Sequence, residues 1–146
     1  RWDRSMISEG AALVVVALTG GPPGLYGVQA AIAALHDEAP DVGSTDWPQI
    51  VALYDVLRGL APSPVVELNR AVAVAMRDGP SAGLVLLEGL AEEPKLKGYS
   101  PFAAARGDLL LADMNQSPQK SAGRKHDCGA CDLAAVFETH AGDRAA

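Results

Sequence analysis

The chain has 146 residues, with 12 Lys and Arg against 18 Asp and Glu, a formal charge of −6, and 49% hydrophobic but only 5% aromatic side chains. That length suits one domain able to bury a core without disulfides or metals. The acidic balance argues against this segment gripping a nucleic-acid backbone by itself, which needs clustered Lys and Arg. The longest unbroken apolar run, Ala11 to Leu18, is eight residues, where a membrane-spanning helix needs about 20. Two Cys make no disulfide framework, and Asp3 and Glu9 stand where a secretory signal would be positive. A reducing cytoplasm is therefore the expected location. A chain opening on Arg1 rather than Met reads as processed or as a piece of something longer.

Pro and Gly punctuate an Ala- and Leu-rich sequence into helices. Asp3 caps a first helix running to about Leu18, and Gly20-Gly21-Pro22-Pro23-Gly24 forbids its continuation. A second helix spans Leu25 to Glu38, with Leu25, Val28, Ile32 and Leu35 on one stripe, and stops at Pro40. The third starts at the N-cap Asp46, with Pro48 in the first turn and Gln49 as capping-box partner. Its face is Trp47, Ile50, Val51, Tyr54 and Leu57, thickened by Leu53, Val56 and Leu60. Ser63-Pro64 opens the fourth helix, which runs through Arg77 and closes at Gly79. The fifth is expected over Pro80 to Glu92, ended by Pro94. The sixth begins near Pro101 and carries Phe102 and Leu109 to Leu111. Val14-Val15-Val16 is the only strand-like run and lies inside a helical pattern, so the fold class is all-α.

The third helix begins near Trp47 and the fifth near Ser81, 34 residues on, with the fourth halfway between. A two-helix period of that size marks tetratricopeptide-type solenoids, in which antiparallel helix pairs stack. The fourth helix fits such a stack. Val65, Leu68, Val72 and Met76 form one stripe, while Val66 and Ala73 carry apolar surface round the other side, as an interior helix requires. In solenoids of this type the first helix of each pair lines a concave groove. Gln29 and His36 on the second helix, and Glu67, Arg70 and Arg77 on the fourth, are the candidate groove residues for protein contacts. The alternative is that these polar groups simply keep a face solvated. Asn69 points away from Glu67 and reads as a satisfied polar group between helices.

Several runs occur in register: Asp3-Arg4-Ser5, Gln29-Ala30-Ala31-Ile32-Ala33-Ala34, Asp46-Trp47-Pro48-Gln49-Ile50, Leu53-Tyr54-Asp55, Ser63-Pro64-Val65-Val66, Leu68-Asn69-Arg70-Ala71-Val72-Ala73 and Gly79-Pro80-Ser81-Ala82-Gly83-Leu84. Together they resemble the tetratricopeptide-like C-terminal extension of a group of extracytoplasmic-function RNA polymerase sigma factors of the sigma-70 family, common in actinobacteria. The resemblance covers about residues 1–112. It implies a role in transcription initiation as a protein-interaction and regulatory module, with the sigma factor's own domains, core RNA polymerase or a regulator as partners. It implies no enzyme activity and no cofactor. In that family, promoter DNA is read by upstream domains that this sequence does not contain.

Residues 113–146 depart from the family. Where a partner for the sixth helix and a basic, Leu- and Arg-rich final helix would follow, the sequence reads Asp113-Met114-Asn115-Gln116-Ser117-Pro118, then a CxxC segment. A truncation with an unrelated or frame-shifted, poorly ordered tail is the expected account. It would leave Leu109 to Leu111 partly exposed and open to self-association. Through Asp113 the chain carries 8 basic and 14 acidic residues, and 4 of each follow, so the acidic excess belongs to the helical module.

The tail holds a metal-like set, His126, Cys128, Cys131 and His140. CxxC spacing suits two thiolates on one zinc, but a single CxxC with these flanking spacings is a weak signal, and chance, zinc and a redox pair all remain as readings. His36, Asp37 and Glu38 fan out by about 100° each along a helix and do not converge as an acid–base cluster. Asp55 beside Tyr54 reads as an exposed carboxylate next to a core ring. A stand-alone helical enzyme would centre on His36 or Asp55, and a small zinc or redox protein on Cys128 and Cys131. The glycine-rich stretch Gly20 to Gly24 lacks the Lys-Ser/Thr of a phosphate-binding loop.

Overall fold

The computed structural model describes residues 3–116. Among them are six α-helices and no strand: α1 (Arg4–Thr19), α2 (Leu25–Glu38), α3 (Trp47–Leu60), α4 (Pro64–Asp78), α5 (Pro80–Gly89) and α6 (Ser100–Gln116). Single 3-10 turns lie at Val42–Ser44 and Pro94–Leu96. The chain divides into two compact units at Val66/Glu67, within the first turn of α4.

The helix starts follow from local hydrogen bonding. The first amides of a helix lack intrahelical acceptors, so a side-chain oxygen just ahead of them is stabilising. Asp3 accepts from the Ser5 amide at 2.9 Å and from its hydroxyl at 2.6 Å, which holds the Asp3 carboxyl below its usual range. Asp46 accepts from the Gln49 amide at 3.0 Å. The complete reciprocal capping box belongs instead to Asp41 and Ser44, at the 3-10 turn that the sequence reading passes over. The end of α5 also differs from expectation. Beyond Gly89 the chain tightens into three-residue closures, Leu90 N–H to Leu87 C=O and Ala91 N–H to Glu88 C=O. The helix therefore stops three residues short of Glu92.

In the first unit, three sequence-adjacent helices pack side by side. The end of α1 meets the start of α2, where Leu18 lies beside Gly27. The end of α2 meets the start of α3, where the His36 ring lies edge-on to Trp47 with centroids 5.3 Å apart. Neighbouring helices are therefore antiparallel. Val28, Ala31 and Ile32 of α2 and Ile50, Val51, Tyr54 and Leu57 of α3 form the buried set. Val56 and Leu60, expected to thicken that face, are instead exposed. They lie on the far flank of α3, beyond the arc that α2 covers.

In the second unit, Leu68, Ala71, Val72 and Ala75 of α4 pack with Leu87 of α5 and with Ala105 and Leu109 of α6. A hydrogen bond from the Ser81 hydroxyl to the Asp113 carboxylate ties the first turn of α5 to the last turn of α6, so these two are antiparallel. Ala71 through Ala75 are all buried, while Glu67, Arg70 and Met76 are half-buried and Arg77 is exposed. The class is all-α, built from antiparallel neighbours in the manner of a helical solenoid. No helix among the described residues is long and apolar enough to cross a membrane.

Candidate protein-interaction surface

The expected groove residues fall in both units. Gln29 and His36 sit on one edge of α2 in the first, seven residues apart and so nearly in line along the helix. Gln29 is exposed, while His36 is half-buried. Its imidazole packs on Trp47, whose indole N–H donates to the Val42 carbonyl at 3.0 Å. Burial pushes the His36 pKa below its ordinary value, and the neighbouring Asp37 charge opposes that shift. An imidazole packed edge-on against an indole is a structural contact first.

Glu67, Arg70 and Arg77 lie in the second unit along one edge of α4. Glu67 and Arg70 are half-buried and Arg77 is exposed. The Arg77 guanidinium donates to both carboxylate oxygens of Asp78, at 2.9 and 2.7 Å, and holds the Asp78 carboxyl below its usual range. This bidentate pair between chain neighbours fixes the guanidinium over the C-terminal turn of α4. Asn69 is the one buried polar residue of α4. Asp55, the other candidate considered for chemistry, pairs with Arg58 at 3.5 Å on the exposed side of α3.

Apart from Leu109 to Leu111, sequence reasoning passes over the exposed apolar surface. On α1, Met6, Leu13, Val15 and Val16 are all exposed, and so are Val85 on α5 and Leu110, Leu111 and Met114 on α6. The expectation for Leu109 to Leu111 divides by helix phase. Leu109 points inward and is 2% exposed, while Leu110 and Leu111 face outward. A shallow cavity of about 370 Å³ lies beside the start of α6, lined by Leu96, Lys97, Tyr99 and Phe102 among others. Lys97 is its only charged lining residue, so it brings no acid–base pair together. Among the described residues no group of three or more His, Cys, Asp or Glu side chains is placed to hold a metal ion. His126, Cys128, Cys131 and His140 lie outside the described residues.

No protein-family model matches the chain, and no solved structure matches it. It is 50% identical over 109 residues to an uncharacterized protein of Rhizobium meliloti (strain 1021). The match takes in 75% of this chain and 25% of that relative. The chain thus spans about a quarter of the length of the curated relative it matches.

Proposed function

We propose that this chain is the helical protein-interaction module of an extracytoplasmic-function sigma factor, acting in transcription initiation in the bacterial cytoplasm. It binds protein surfaces and performs no catalysis: the partner is the sigma factor's own promoter-reading domains, core RNA polymerase or a regulator. The observation that carries this reading is the ordered set of motifs from Asp3-Arg4-Ser5 to Gly79-Pro80-Ser81, now resolved into capped helices. Asp3 caps α1, Asp46 caps α3 and Gly79 separates α4 from α5. The regular spacing adds support. Helix α3 begins at Trp47, α4 at Pro64 and α5 at Pro80, intervals of 17 and 16 residues, close to the half-period of a two-helix repeat. Titratable groups scattered over several helices also suit a binding surface better than a reaction centre.

The test is retention of purified partners on the immobilised 146-residue chain. Core RNA polymerase, the promoter-reading domains of a sigma factor of this group, or both, are expected to be retained. Gln29→Glu in the first unit and, separately, Arg70→Glu in the second are each expected to weaken retention. Retention of neither of these, nor of any defined cellular protein, would remove the interaction reading.

A further inference from the structure

Helix α6 buries Ala105 and Leu109 in the core on one side. At about 100° per residue, Ala103, Gly107, Leu110 and Met114 fall within an arc of about 60° on the other side. All four are exposed, and no charged residue lies within that arc. Their spacing of four, three and four residues is that of a helix–helix seam. Size is graded along the stripe. Ala103 and Gly107, nearer the start of the helix, are small, whereas Leu110 and Met114, nearer its end, are large. A Cβ placed on Gly107 would meet nothing within 4 Å, so the space over that position is open.

That gradient selects the occupant, because the stripe is complementary to itself when reversed. Two copies of α6 laid antiparallel about a point midway between Asp108 and Leu109 put Ala103 opposite the partner's Met114. The same register puts Gly107 opposite the partner's Leu110. Each large side chain then meets a small residue, and the twofold axis repeats both layers. The flanks agree. On one, Arg106 lies within about 3 Å, along the helix axis, of the partner's Asp113, so the charges are complementary. Asp113 also accepts from the Ser81 hydroxyl of its own chain, and a carboxylate has acceptor sites for both. On the other flank, Ala104 lies beside the partner's Leu111. A parallel pair would instead stack Gly107 on Gly107 and Met114 on Met114, and would set Arg106 against the apolar flank of Ala104 and Leu111.

We propose that the outward face of α6 is a homodimer seam, on which a second copy of this chain packs its own α6 antiparallel, with Gly107 receiving the partner's Leu110 and Arg106 paired with the partner's Asp113. This gives the self-association expected of the last helix a defined orientation and register. It does not depend on the transcription reading. One pair of 17-residue helices makes a small interface, so the dimer dissociates on dilution.

Analytical ultracentrifugation of the 146-residue chain over an about hundredfold range of concentration is the first measurement. Monomer giving way to dimer as concentration rises is expected, and monomer throughout would overturn the proposal. Gly107→Gln fills the space that the partner's Leu110 takes, while removing a glycine from a helix interior. It should abolish the dimer without lowering the thermal midpoint in dilute solution, which separates loss of pairing from loss of folding. A dimer undiminished by Gly107→Gln would overturn the seam. Orientation is read by disulfide crosslinking in air, in a Cys128→Ser, Cys131→Ser background. A mixture of Ala103→Cys and Met114→Cys chains should crosslink one variant to the other. Met114→Cys alone should not, because the antiparallel register holds its two thiols roughly 15 Å apart or more. Efficient crosslinking of Met114→Cys alone would show a parallel pair and overturn the register.

Discussion

Replacing Gly83 by Ala should destabilise the protein, although Ala is the better helix former. Gly83 lies inside α5, where the exchange by itself would stabilise by about 1 kcal/mol. The surroundings reverse the sign. A Cβ at this position would stand 2.5 Å from the Ala75 Cβ, 2.9 Å from the Ala71 carbonyl oxygen and 3.0 Å from Leu109 Cδ1. Leu109 can rotate its terminal methyl away, but Ala71 and Ala75 offer only backbone and a Cβ, which cannot move unless the helix moves. Bringing the Ala75 contact to ordinary van der Waals separation requires α4 and α5 to part by about 1 Å. A gap of that size forfeits roughly a quarter to a half of each dispersion contact along the seam, and overpacked cores cost about 1–3 kcal/mol, occasionally more. Here the contact is to backbone, so the upper part of that range applies, and the net loss is about 1–2 kcal/mol. For a unit of this size that lowers the thermal midpoint by roughly 5–15 °C.

The control is Gly107→Ala in the interior of α6, where a Cβ meets nothing within 4 Å. It removes the same unfolded-state entropy and should raise stability by about 0.5–1 kcal/mol. Thermal and urea unfolding followed by circular dichroism, with both variants beside the parent, gives the comparison. Opposite signs are expected. If Gly83→Ala raised the midpoint as Gly107→Ala does, the close approach of α4 and α5 would be refuted.

Other substitutions probe other links. Gly79 has φ +104° and ψ 159°, a region essentially confined to glycine, and is the single residue between α4 and α5. Gly79→Ala should cost about 1–3 kcal/mol in urea titration, and an unchanged midpoint would refute the strained junction. Asp46→Ala removes the acceptor for the Gln49 amide and should cost about 1 kcal/mol, read as loss of first-unit stability, whereas Asp46→Asn should retain most of it. His36 has a depressed pKa in the folded state because burial disfavours its charged form. The unfolded chain therefore binds the proton more readily. The stabilising contribution is complete above the unfolded value of about 6.5 and is lost as pH falls from there through the folded pKa. Urea midpoints between pH 7.5 and 5 should show this slope, and His36→Phe should flatten it; an equal slope in both would refute the assignment.

The candidate surface is only partly legible in the sequence. Gln29, Glu67, Arg70 and Arg77 stand out because charged or amide side chains interrupt apolar stripes, and periodicity locates them on helix edges. That Arg77 is held by Asp78, or that the His36 ring packs on Trp47, depends on rotamers and neighbours that periodicity does not specify. Leu109, Leu110 and Leu111 look alike in a linear reading, yet only Leu109 has the phase that meets α4 and α5.

The helix starts were determined by the sequence alone. Asp3, Asp46, Ser63-Pro64 and Gly79-Pro80 act on amides within a few residues of themselves, so their effect is complete before any tertiary contact forms. The all-α class follows for the same reason. Tertiary structure alone decided which apolar stripe becomes core. Ile7, Ala11, Val14 and Leu18 and, on another side of α1, Met6, Leu13 and Val16 are all apolar in the sequence, but only the first set is half-buried against α2, and the second is exposed. It also decided that Gly83 is needed for closeness rather than flexibility. Burial is a property of what stands opposite a residue, and that partner lies on another helix.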